Sequence, residues 1–283
     1  MGKLVKSSEA RTWTIARYTS YGSVMKTILL ASAAALFAIT PAHAQEGADD
    51  YRVRLGLGGQ VRPQFPGAKD KEVVPYVDVD IARGDKPFGF EALDESFGIP
   101  VYSKNGFSFG LAANLEGKRR QSDVGLPVGN VPMTFEAGAF AEYYATESFR
   151  LRGELRKGVN GHEGLIGSIA ADHIWRDGDK YVVSVGPRVF FSDGRYQRAY
   201  YGVDAPAALA SGLPAYRPGG GLYSVALASG ASYQFDERWG VFGYGRYERL
   251  IGDAAKSPIV RSVGSRNQLS GGLGLSYTFT VKR

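Results

Sequence analysis

The chain of 283 residues carries 38 glycines, no cysteine and a formal charge of +6. The missing cysteine excludes a disulfide scaffold, a cysteine-ligated zinc and a thiol nucleophile. Hydrophobic residues at 44% and charged residues at 22% exclude a disordered chain, so a folded body is expected.

Residues 25–44 read MKTILLASAAALFAITPAHA. Lys26 is followed by an apolar run from Ile28 to Ile39, a breaker at Pro41, and small residues at Ala42 and Ala44, the pattern of a secretory signal cleaved before Gln45. The run is too short for a membrane anchor, which needs about 20 apolar residues. Residues 1–24 lie upstream of a complete signal with its own Met25, and read as a start assigned too early. A single domain is then expected over 45–283. The segment ahead of Gln45 holds Lys3, Lys6, Arg11, Arg17 and Lys26 against Glu9, so four of the six net positive charges belong to it. The basic balance is no argument for nucleic acid as a partner.

From Tyr51 onward the chain alternates with period two, the mark of strands with two unlike faces. In chain order the expected strands are Tyr51 to Arg62, Val73 to Ile81, Phe107 to Glu116, Met133 to Tyr144, Phe149 to Arg156, Leu165 to Trp175, Tyr181 to Ser192, Leu222 to Phe235, Trp239 to Leu250 and Gln268 to Phe279. The last shows the pattern plainly. Leu269, Leu273, Leu275, Tyr277 and Phe279 share one face, with Gln268, Ser270, Gly272, Gly274, Ser276 and Thr278 on the other.

Periodicity alone does not say which face points inward. A soluble barrel with an apolar interior and a membrane barrel with an apolar exterior both fit. Strand length favours the membrane, because about 9 to 11 tilted residues cross a bilayer. The connections also alternate between tight turns, such as Ser103 to Gly106 and Asp236 to Arg238, and longer loops, such as Gly117 to Pro132 and Asp193 to Gly221. Outer-membrane barrels pair short periplasmic turns with longer extracellular loops. Aromatics of the apolar face, including Tyr143, Trp175, Tyr181, Trp239 and Tyr277, gather beside the tight turns, where an interfacial girdle belongs. The expected fold is an all-β transmembrane antiparallel β-barrel of the outer membrane, in contact with outer-membrane lipid. Loop parity gives 11 strands if Pro87 to Tyr102 is one strand and 12 if it is a short hairpin turning near Asp94 and Glu95; bacterial barrels use even numbers, so 12 is expected, with 10 as the alternative.

The even face is then the lumen. Its charges include Arg54, Asp78, Asp80, Glu136, Glu142, Arg150, Arg152, Glu154, Arg156 and Arg188, both signs intermixed. Antiparallel pairing is expected to bring Arg54 near Asp78 or Asp80, and Glu142 near Arg150. Either the charges form a pillar of ion pairs, or they line a water-filled pore. The loop Asp193 to Gly221 carries Arg195, Tyr196, Arg198, Tyr200, Tyr201 and Tyr216. It is read either as an extracellular contact surface or as a plug folded over the mouth.

Several blocks resemble one family. YQRAYYGVDAPAALASGLPAY (Tyr196 to Tyr216), RLIGDAAKSPIVRSVGSRNQLSGGLGLSYTF (Arg249 to Phe279), LRGELRKGVNGHEG (Leu151 to Gly164) and VRPQFPGAKDKEVVPYVDV (Val61 to Val79) are similar to the MipA/OmpV family of outer-membrane proteins. The resemblance implies outer-membrane location. For the founding member it implies a scaffold between a periplasmic lytic transglycosylase and a penicillin-binding murein synthase, while other members resemble adhesins or antigens. Many such barrels end on an aromatic, whereas Phe279 here is followed by Thr280, Val281, Lys282 and Arg283.

Catalytic motifs mostly dissolve. His162-Glu163 begins like H-E-x-x-H, but position 166 is isoleucine, so the zinc motif fails and no metal or cofactor is expected. His162 sits among glycines in a loop, and His173 falls on the lipid-facing parity near Trp175. Arg83-Gly84-Asp85 falls in a tight periplasmic turn, and GGLGLS at Gly271 to Ser276 is a strand face of small residues. The expected function is a non-catalytic scaffold; a channel for small solutes and a surface adhesin are alternatives, and a lipid hydrolase using His162 is the weakest reading.

Overall fold

The computed structural model describes residues 50–282; the expected extension 1–24 and signal 25–44 lie outside the described residues. Eleven strands run in chain order: β1 (Tyr51–Pro63), β2 (Lys71–Arg83), β3 (Phe97–Lys104), β4 (Phe107–Glu116), β5 (Thr134–Thr146), β6 (Phe149–Gly158), β7 (Leu165–Asp177), β8 (Tyr181–Ser192), β9 (Gly221–Gln234), β10 (Trp239–Leu250) and β11 (Asn267–Val281). They form one curled antiparallel sheet in the order β2-β1-β11-β10-β9-β8-β7-β6-β5-β4-β3. The first and last strands meet directly, Tyr51 opposite Val281 and Val61 opposite Gly271. The ends of the sheet are β2 and β3, which share no hydrogen-bonded register.

Alternation decides the faces. Leu57, Val77, Leu111, Leu155, Leu227 and Leu273 point outward and are exposed, while Arg54, Glu136, Arg150, Asp172, Arg188 and Ser276 point inward and are buried. This is the inverse of a soluble barrel. It leaves an apolar belt with a polar interior, and the strands between β2 and β3 pair with a neighbour on each side. At the tight-turn end the outward aromatics pack on each other: Trp239 on Tyr277 with centroids 4.9 Å apart, and Tyr233 on Phe235 at 5.8 Å. His173 is outward too, edge-on to Trp175 at 4.3 Å. Between β3 and β4, Asn105 and Gly106 both take positive φ, which a two-residue hairpin turn requires. Glycines on β1 and β11 serve the interior: a Cβ at Gly274 or Gly56 would fall within 2.6 Å of the buried Phe242 ring.

The stretch Pro87 to Tyr102 differs from the expected hairpin. Its second limb is β3, and the chain does turn at Ala92–Glu95, where the Glu95 N–H donates to the Ala92 carbonyl. The first limb, however, joins no strand. Residues 85–96 form an extended strap inside the curl, so the described residues hold eleven strands, against the expected twelve and its alternative of ten. Phe88 and Phe90 explain this. Phe88 lies under the guanidiniums of Arg52 and Arg54 at 4.9 and 4.6 Å, and Phe90 under Arg150 at 4.7 Å, contacts available only on the inner face.

The long loops form a lid at the opposite end from the tight turns. It contains α1 (Gln121–Val124), α2 (Gly194–Tyr201), α3 (Ala205–Ser211), α4 (Gly252–Lys256) and α5 (Pro258–Ser262). Asp193 caps α2 by accepting from the N–H groups of Arg195 and Tyr196, and Asp204 caps α3 by accepting from Ala207. Two apolar clusters hold the lid, one around Tyr196, Tyr200, Tyr201 and Tyr223, the other around Phe65, Val124, Val203 and Ile259.

Candidate functional site

The lumen charges are organised around β6. Arg150 is fully buried and reaches Asp172 on β7 and Glu95 on the strap, each at 2.7 Å, with Glu142 on β5 at 3.4 Å. Arg152 bonds Glu154 at 2.8 Å and approaches Glu142 at 3.5 Å. Arg156 meets Glu136 at 2.8 Å and also contacts Glu154. From β8, Arg188 grips Asp172 at 2.7 Å and Asp94 of the strap at 3.0 Å. On β1, Arg54 chooses Asp80 at 2.6 Å rather than Asp78, which instead borders a small void of about 30 Å³ beside Glu91. Charges removed from water need such partners, because an unpaired one costs several kcal/mol.

Sequence reasoning placed Asp94 and Glu95 at a hairpin tip and missed their role. They are the strap's two anchors. Ser96 adds a third, its hydroxyl donating to Glu154 at 2.6 Å, and the Tyr76 hydroxyl donates to the Leu93 carbonyl at 2.6 Å. The inward ion pairs tie the strap to the wall formed by β5 to β8.

Above the strap lies a chamber of about 280 Å³, roofed by the lid. The loop residues expected as a contact surface divide between its roof and the outside. Tyr196, Tyr200 and Tyr201 are at most 2% exposed, so they have no side-chain surface for a protein partner. The Tyr200 hydroxyl donates to the Gly117 carbonyl at 3.1 Å. Tyr216 is half-buried and donates to the Asp253 carbonyl at 2.9 Å, while Arg195 and Arg198 stay exposed. Burial pushes the phenols of Tyr196, Tyr200 and Tyr201 well above their ordinary value, so they stay neutral. Arg119 is also buried in the lid and donates to the carbonyls of Tyr200 and Val128 at 2.8 and 3.0 Å. Burial lowers its pKa to about 10, still high enough to keep the charge at neutral pH.

His162 belongs to the same roof. The Gly164 N–H donates to its Nδ1 at 3.0 Å, so Nε2 carries the hydrogen and donates to Glu136 Oε1, also at 3.0 Å. Both ring nitrogens are used, and neither faces a nucleophile. The ring stands edge-on to Tyr196 at 5.1 Å, which makes it a fastener between β5 and the lid.

A family model described as MltA-interacting protein MipA matches residues 55–279. The chain belongs to this family. With its apolar outer belt and charged interior, this MipA-family chain is a β-barrel of the outer membrane. No curated protein matches it. Among solved structures it is similar to an outer membrane channel from Pseudomonas putida F1, at 8% identity over 85% of this chain and 100% of the other, with a TM-score of 0.40. It is also similar to the KdgM porin, at 10% identity over 81% and 99% with a TM-score of 0.35. The translocator domain of the autotransporter NalP from Neisseria meningitidis matches at 14% identity over 91% and 96%, with a TM-score of 0.35.

Proposed function

We propose that this MipA-family barrel is a non-catalytic scaffold in the cell envelope that binds a lytic transglycosylase of the MltA kind, and through it a penicillin-binding murein synthase. The observation that carries the reading is the strap, which lies inside the lumen and is tied to the wall at Arg150 and Arg188. A barrel filled by ion pairs and roofed by buried tyrosines is a rigid body whose use lies in what its rims present. The family description supplies the partner's class. His162, with both nitrogens engaged, supports the absence of hydrolysis.

Co-purification of the detergent-solubilised barrel with the cognate lytic transglycosylase tests this. A stable complex is expected, and no association at micromolar concentrations contradicts it. A second reading, a narrow channel, draws support from the space left between the strap and the small residues of β9 and β11, where Gly230, Ser232 and Ser276 line the lower void.

A further inference from the structure

Among the described residues, the strand ladder beside the chamber under the lid is interrupted. β3 begins at Phe97, opposite Ala113, so the last part of β4, Asn114 to Glu116, has no strand on that side. Among the described residues, the outer edge of β2 has none either. Asn114, Leu115 and Glu116 border the chamber, and Tyr76 borders it from β2. Leu115 has the lipid-facing parity and is 58% exposed, so a residue of the outer belt also lines the inner space. Bare strand edges are unfavourable in hydrocarbon and are tolerated where they line a polar cavity.

The chamber wall selects the occupant. Each of its arginines already faces a carboxylate: Arg62 with Glu72 at 3.0 Å, Arg156 with Glu136 at 2.8 Å, Arg188 with Asp94 at 3.0 Å and Arg246 with Glu248 at 3.4 Å. A phosphate would meet no guanidinium here that lacks a carboxylate partner. Among the chamber's described carboxylates, Glu116 alone makes no ion pair, and its one hydrogen bond comes from the adjacent Gly117 N–H at 3.1 Å. The buried Nε of Arg246 has no partner, so the wall offers both a donor and an acceptor. Tyr76 and Tyr244 stand edge-to-face beside them, 5.3 Å apart. Aromatic rings with a few unpaired donors and acceptors suit a compact polyhydroxylated group.

We propose that the chamber holds the sugar head of a glycolipid that enters sideways from the lid-side leaflet, through the gap between β2 and β4 above the start of β3. Leu115 then lies along the emerging acyl chain, and Glu116 accepts from a sugar hydroxyl.

A dodecyl maltoside carrying a photoactivatable group on its alkyl chain tests this on the purified full barrel, with cross-links mapped by mass spectrometry. Labelling is expected to concentrate at Leu115 and the facing edge of β2. Glu116→Gln should reduce it at least fivefold, as should Leu115→Trp, which fills the gap from the lipid side. Unlabelled dodecyl maltoside should compete. Dodecyl phosphocholine, which has the chain without the sugar, should not. Labelling spread evenly around the belt would overturn the proposal, as would equal competition by dodecyl phosphocholine. Full competition by free maltose at the same concentration as dodecyl maltoside would also overturn it, because that marks a site for soluble sugar.

Discussion

Arg150 of β6 is fully buried and joined to Glu95 of the strap at 2.7 Å, across 55 residues of sequence. Through this contact the wall of the barrel holds its own plug. Removing the cation leaves Glu95, Asp172 and Glu142 facing one another with only Arg152 and Arg188 to share. Arg150→Ala is therefore expected to destabilise the barrel by about 3–5 kcal/mol, measured by urea unfolding in lipid vesicles. A change below about 1 kcal/mol would mean that the network does not hold the fold.

Releasing the strap from its own side has a different consequence. The double variant Asp94→Ala, Glu95→Ala removes both anchors while leaving the wall arginines with Asp172, Glu142 and Glu154. Ion conductance in planar bilayers should rise severalfold over the parent barrel. Equal conductance would show that the strap does not obstruct the lumen.

The lid should respond to Tyr201 and ignore Leu209. Tyr201 is 0% exposed within the tyrosine cluster, whereas Leu209 on α3 is 89% exposed. Tyr201→Ala is expected to cost roughly 3 kcal/mol and to open the 193–221 loop to protease. Leu209→Ala should stay within about 0.5 kcal/mol of the parent. Similar protease sensitivity in the two variants would contradict the packing described.

His162 fastens the lid and has no free nitrogen. His162→Ala leaves the Gly164 N–H without its acceptor and should cost roughly 1–3 kcal/mol of stability. Phospholipid or lipid A turnover should be absent from the parent and the variant alike. Turnover by the parent that vanishes in the variant would revive the hydrolase reading.

Asp253 ties α4 to the far side of the loop, accepting from the Gly219 N–H at 3.0 Å. That bond holds its carboxyl below the ordinary range, helped by Lys256. A depressed folded value means the tie is complete above the unfolded pKa of about 3.9 and fades as pH falls through the folded value. Hydrogen exchange at the Gly219 amide should accelerate, beyond its intrinsic pH dependence, only in that acid window. Asp253→Ala should exchange fast throughout.

Strand pattern and facing were legible because period-two alternation is long from Leu269 to Phe279, broken only at Gly271, and the outward aromatics marked one end. The strap was not, because Phe88, Phe90 and Ala92 alternate as a strand does. What separates them is the partner: their buried faces meet arginines from β1 and β6, and no local pattern encodes that. The lid was partly legible. Tyr196 and Tyr200 are four residues apart, on one face of a helix, and Asp193 and Asp204 are ordinary helix starts. Those signals fit packed helices, but on sequence alone both readings of the loop stood open. Glu95 and Asp94 could be found only from their distant partners.

The most direct test of the scaffold pairs two readouts on one sample. The barrel in lipid nanodiscs is titrated with the cognate lytic transglycosylase by calorimetry, and the same preparation is recorded in planar bilayers. A scaffold predicts saturable binding with a Kd of about 1 μM or tighter, roughly −8 kcal/mol, and little ion conductance. No saturable binding, together with large conductance steps from the unaltered barrel, would contradict it.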